Sequence, residues 1–119
     1  MNFHISDSEV DSDTHLIELG GEIDLYTAPE FKERMAAIID EGKTRVVVDL
    51  SQATFIDSTT LGVLVGGVKR LRPAGGSLAL VCKDENIIKI FEITGLDRVF
   101  PIHGSRDEAL ADVAAGGAG

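Results

Sequence analysis

The chain has 119 residues, 44% of them apolar and 26% charged, with a formal net charge of -9. This is one domain of ordinary globular composition, able to bury roughly two thirds of its unfolded surface without a disulfide or metal staple. The acidic balance opposes binding to phosphate backbones and anionic lipid, and suits a basic partner or a partner with one basic patch.

The first 26 residues read as a β-hairpin. Asn2 to Ser6 and Thr14 to Gly20 carry extended-type apolar patterns, with turn chemistry from Asp7, Ser8, Asp11, Ser12 and Asp13 between them. Gly20-Gly21 is expected to end the second strand. Thr27 and Glu30 have capping-box spacing, and Pro29 suits the first turn of a helix. Phe31, Met35, Ile38 and Ile39 recur at helical spacing, and Gly42 is a natural stop.

Arg45 to Leu50 is a short β-branched run, expected as a strand buried on both faces, with a loop after it. Leu61, Leu64, Val65, Val68 and Leu71 then repeat as a helix, which Pro73 and Gly75-Gly76 end. Ser77 to Val81 is another short strand. Asp84 caps a third helix with Ile87, Ile88 and Phe91 inside, and Gly95 ends it. Arg98 to Pro101 reads as a final short strand. Ser105 to Val113 reads as a last helix, with Ser105 as cap and Glu108 in the capping-box position. The domain spans residues 1–113, and the Ala/Gly-rich residues 114–119 are expected to form a flexible tail.

This order is an α/β domain: an N-terminal β-hairpin leading into a mostly parallel sheet of four or five strands, packed with about four helices. If consecutive strands are neighbours, right-handed crossovers place the helices largely on one face.

The chemistry is sparse. Cys82 is the only cysteine, which excludes an internal disulfide and multi-cysteine zinc sites and fits a reducing cytoplasm. At a strand end it reads as a buried, inert thiol. Met1 to His4 does not lead into an apolar run, so no signal peptide is expected. The apolar stretch Leu61 to Val68 is too short and Gly-rich to span a bilayer. His4, His15 and His103 are scattered without metal-ligand spacing, no phosphate-loop motif is present, and no base can be assigned to Ser58. No cofactor and no enzymatic activity are expected.

One segment stands apart, Asp57-Ser58-Thr59-Thr60, opening a helix at the carboxyl end of a buried strand, where sites in open α/β folds concentrate. Asp57 or Ser58 can be a simple N-cap. Alternatively, Ser58 presents a hydroxyl whose phosphate would be favoured by the helix N-terminus. Gly62, Gly66 and Gly67 lie inside the helix that follows, either for close packing on the sheet or to give a partner a smooth face. Asp24, in Gly21-Glu22-Ile23-Asp24, is either a solvated loop acid or a polar contact on the same rim.

Taken together, Gly21-Glu22-Ile23-Asp24 with Thr27-Ala28, Phe55-Ile56-Asp57-Ser58, Leu61-Gly62-Val63 and Thr94-Gly95-Leu96 resemble the anti-sigma-factor antagonists of the STAS domain family. The likeness runs from about Phe3 to Leu110. It implies a bacterial, cytoplasmic partner-switching regulator, monomeric by family expectation. The unphosphorylated form binds an anti-sigma factor that is also a serine kinase of the histidine-kinase-like ATPase type, which releases the sigma factor. Phosphorylation of Ser58 ends the binding and a serine phosphatase restores it. Asp24, Asp57, Ser58, Thr59, Thr60 and Gly62 are the implied partner-binding residues. The family often has Gly where this chain has Thr60, which bears on partner choice or on the rate of phosphorylation. STAS domains also serve as subunits of transporters and stress-signalling assemblies; that is the alternative, without phosphorylation.

Overall fold

The computed structural model describes residues 3–115. It contains β1 (Phe3–Glu9), β2 (Thr14–Ile23), α1 (Ala28–Asp40), β3 (Arg45–Ile56), α2 (Ser58–Leu71), β4 (Ser77–Val81), α3 (Glu85–Thr94), β5 (Ile102–His103) and α4 (Arg106–Ala114). The five strands lie side by side in chain order. β1 is antiparallel to β2, and every later pairing is parallel. The α/β class, the hairpin, the mostly parallel sheet and the four helices match the sequence reading.

Alternation along β3 divides the core. Val46, Val48 and Leu50 face one side, with Phe31 and Met35 of α1, Leu64 and Val68 of α2, and Ile87 and Phe91 of α3. Val47 faces the other side, against Ala109 and Val113 of α4. Three crossover helices therefore share one face, as right-handed connections between adjacent strands require. Phe91 and Phe100 meet edge to face at 6.1 Å and anchor α3 to the chain beyond it.

Several boundaries differ from the sequence reading. β2 does not stop at Gly20-Gly21. It continues to Ile23 through two register shifts, with Gly21 at φ +79°. β3 does not end at Leu50. It runs to Ile56, because Ser51, Gln52 and Thr54 are tolerated where the strand meets water. Arg98 to Pro101 is not a strand: Leu96–Arg98 is a 3₁₀ turn and β5 follows at Ile102–His103. Ala114 closes α4 rather than starting a tail, and residues 116–119, like Asn2, lie outside the described residues.

The caps at Asp84 and Ser105 form as expected: Asp84 accepts from the N–H groups of Asn86 and Ile87, and Ser105 from that of Glu108. Thr27 makes no such bond, so the expected capping box is not formed. Gly42 and Gly95 adopt positive φ just past their helices.

The far end of the hairpin is held by Lys43. Its buried ammonium donates to Glu9 Oε1 at 2.7 Å, Asp11 O at 2.9 Å and Ser12 O at 3.1 Å. On the α4 face, Arg106 donates to the buried Asp49 carboxylate and to Glu18, tying α4 to β3 and β2. Burial works against the Asp49 charge, but hydrogen bonds from Ser51 and Arg106 outweigh it and hold the carboxyl below the usual aspartate range. A depressed folded value stabilises the fold above the unfolded value near about pH 4, and that contribution is lost as the pH falls through the folded value.

Asp49→Asn should therefore flatten the loss of stability below about pH 4, read as urea midpoints across pH; an unchanged acid slope would contradict this coupling. Gly76 is a steric requirement, since a Cβ there would lie 2.1 Å from Thr44 O, a backbone atom that cannot swing away. Gly76→Ala should cost about 2 kcal/mol or more in urea unfolding.

Candidate functional site

β2 and β3 end level, with Ile23 paired to Ile56. The turns that leave them lie together at the carboxyl edge of the sheet, and the helices they enter, α1 and α2, pack against each other.

In the first turn, the half-buried Asp24 carboxylate accepts from the N–H groups of Tyr26 at 2.9 Å and Thr27 at 3.2 Å. Its own N–H donates to Thr27 Oγ1 at 2.8 Å. Asp24 thus organises the turn ahead of α1, where Thr27 was expected to cap the helix, and the Thr27 hydroxyl instead donates to Glu22 O at 3.0 Å. The turn leaves Leu25 and Tyr26 in water, with Tyr26 80% exposed. Neither was singled out in the sequence; two exposed apolar residues directly after the motif acid were the available signal.

In the second turn, Asp57 is the N-cap of α2 and accepts from Thr59 N at 2.9 Å. The Thr59 hydroxyl also donates to it. That hydroxyl is the main reason the Asp57 carboxyl titrates below the usual aspartate range; burial opposes the shift, and backbone N–H groups of Thr59, Thr60 and Leu25 add to it.

The three hydroxyls have different surroundings. Ser58 is exposed in the first turn of α2, and its Oγ makes no hydrogen bond to any described residue. Thr59 is half-buried and committed to Asp57. Thr60 is fully buried, and its Oγ1 donates to Ile23 O at 2.9 Å. Thr60 therefore has no surface to offer a partner, contrary to the sequence expectation; it is a tie between α2 and the end of β2.

Beside this rim, α1 and α2 bound an open apolar groove of about 570 Å³, lined in part by Leu25, Met35, Ile39, Val63 and the glycines. Gly67 has a packing reason, since a Cβ there would lie 3.3 Å from Met35 Sδ. At Gly62 and Gly66 a Cβ would meet nothing within 4 Å, and both are exposed. Close packing, against Met35 of α1 and Leu78 of β4, explains one glycine of the three.

The remaining candidates are occupied elsewhere. His15 Nε2 pairs with Asp7 and His103 Nε2 with Asp112, each at 2.7 Å. The His4 ring lies over Gly20. Cys82 is buried, and burial pushes its thiol up, away from the reactive thiolate. No helix among the described residues is long and apolar enough to cross a membrane.

Gly62→Ala should stabilise the protein by about 1 kcal/mol, because it improves helix propensity and meets no neighbour, whereas Gly67→Ala should gain less against Met35. Asp57→Ala should cost about 1 kcal/mol through loss of the cap. Urea unfolding reads all three.

The STAS domain family model matches residues 6–109. The anti-sigma-B factor antagonist of Listeria monocytogenes serovar 1/2a is 37% identical over 108 residues, 91% of this chain and 95% of that protein. The Bacillus subtilis protein of the same name is 34% identical over 102 residues, 86% and 92% of the two chains. An anti-sigma factor antagonist from Mycobacterium paratuberculosis superposes with a TM-score of 0.86 at 26% identity, over 95% of both chains. Unphosphorylated SpoIIAA shares the fold, with a TM-score of 0.74 at 21% identity over 97% of this chain and 99% of that one. The hairpin, the parallel sheet and the paired turns thus go with a match over most of the sequence, and the chain belongs to the STAS domain family.

Proposed function

We propose that this chain is an anti-sigma factor antagonist that binds an anti-sigma factor serine kinase when unphosphorylated and is switched off by phosphorylation of Ser58. The observation that carries this reading is the division of labour among three adjacent hydroxyls. Ser58 Oγ alone is exposed and free, whereas Thr59 is held by Asp57 and Thr60 is buried on Ile23. The names of the Listeria and Bacillus relatives support it.

In this reading the chain works in the cytoplasm as a monomer and performs no chemistry itself. The kinase brings ATP and the base. Ser58 Oγ attacks the γ-phosphorus, the bond to the β-phosphate oxygen breaks, ADP leaves, and the hydroxyl proton passes to the kinase. The helix N-terminus stabilises the new phosphate, which adds about -1.5 to -2 charges beside Asp57. A face that held the kinase must then be desolvated with that charge on it, so the complex separates. A serine phosphatase reverses the step. Asp24, Asp57, Ser58, Thr59 and Gly62 form the contact surface. Thr60 acts from beneath by fixing the height of α2 against β2.

Site-mapped mass spectrometry of the protein from growing and stressed host cells should find phosphate on Ser58, at an occupancy that changes with condition. Ser58→Ala should stay bound to the kinase and resist switching, and Thr59→Ala should still be phosphorylated at Ser58. Equal kinase affinity of wild type, Ser58→Ala and phosphorylated protein would overturn the proposal.

A further inference from the structure

The bare strip on α2 is not explained by the inside of the protein. Gly62 and Gly66 are one helical turn apart, both are exposed, and a Cβ at either position would meet nothing. Glycine in a helix interior is unfavourable, and it is retained where another backbone must approach closely. These glycines line the α1/α2 groove of about 570 Å³.

The groove has the shape and charge of a receptor for a helix. On one side Ala28, Lys32, Met35 and Ile39 repeat at helical spacing, and on the other Thr59, Gly62, Gly66 and Arg70 do the same. Such rows form ridges and grooves that accept a third helix, and small residues in one row let the axes come close. From Thr59 to Arg70 the helix rises roughly 17 Å, about three turns.

The chain carries a net charge of -9, yet the charged side chains lining the groove are Lys32 and Arg70, both cationic. Arg70 is already paired with Asp40 at 2.6 Å. Lys32 is exposed and makes no ion pair with any described residue, so it supplies the open positive charge.

We propose that the α1/α2 groove is the docking site for an acidic amphipathic helix of a protein partner, whose small or apolar stripe packs on Gly62 and Gly66 and whose carboxylates face Lys32. This rests on the partner-binding reading and deepens it by giving the chemistry of the partner. Thr59 lines the groove next to Ser58, so a phosphate on Ser58 would stand at its mouth and repel the same acidic helix.

The test is an NMR titration of the full chain with a helical peptide of about 14 residues, long enough for roughly four turns. The peptide carries Ala and Leu on one stripe and Glu on the rest; a second peptide replaces every Glu by Lys. The Glu peptide should shift the amide signals of Gly62, Val63 and Gly66, and the Lys peptide should not. Gly66→Leu should abolish the shifts while raising Tm, which separates a blocked groove from a damaged fold. Lys32→Glu should weaken the Glu peptide about fivefold and serves as a second variant if the first does not fold.

No shifts with the Glu peptide, equal shifts with both peptides, or full binding to Gly66→Leu would overturn the proposal. So would shifts produced by laurate alone, which would make the groove a fatty-acid site. Concentration-dependent shifts at these residues in the protein by itself would assign the groove to a second copy of this chain. Peptide binding needs neither a kinase nor modified Ser58, so this experiment and the phosphorylation experiment fail independently.

Discussion

Parallel pairing of β2 with β3 is the constraint from which the rest of the molecule follows. Parallel strands cannot be joined by a tight turn, so each connection must cross back as a helix. With consecutive strands adjacent, crossovers of one hand stack α1, α2 and α3 on one face and leave the other to α4. Because Ile23 and Ile56 end at the same level, the turns that follow them are neighbours although they are far apart in sequence. The site is a geometric product of that register. A slip of one residue would turn the side chains of β3 over and separate the turns.

Within the site, polar groups are allotted so that one remains free. Asp24 and Asp57 each spend a carboxylate on the backbone of their own turn. Thr60 adds a buried bond from α2 to the end of β2. In a low-dielectric interior a hydrogen bond of this kind is costly to leave unmade, so α2 is held at a fixed height relative to β2. A rigid platform loses little conformational entropy when something docks on it.

Much of this was legible in the sequence. The hairpin, the helix caps at Asp84 and Ser105 and the α/β order follow from local chemistry, and local chemistry is what a sequence displays. The errors lie where tertiary context prevails. Gly20-Gly21 has the composition of a stop, but flanking strands carry β2 through it with two irregularities. Ser51, Gln52 and Thr54 hide the last half of β3 because its end is half in water. Thr27 and Asp24 both offer oxygens to one turn, and the spacing cannot say that the acid prevails. Asp57 and Ser58 were legible as a motif. The burial of Thr60 was not, because its acceptor, Ile23 O, lies on another strand.

The two borders of the sheet limit how the protein can be recognised. β5 is two residues long, and β1 carries Asp7 and Glu9, so neither border offers a long, uncharged ladder of free N–H and C=O groups. Short or charged borders of this kind resist the addition of a foreign strand. Main-chain pairing of that sort is tolerant of sequence, since every peptide carries the same backbone. With that route closed, any association must be read through side chains on the helices and turns, where one substitution can tell one associate from another. The same closure protects an acidic protein with a parallel, slow-forming sheet from joining edge to edge with its own copies while it folds.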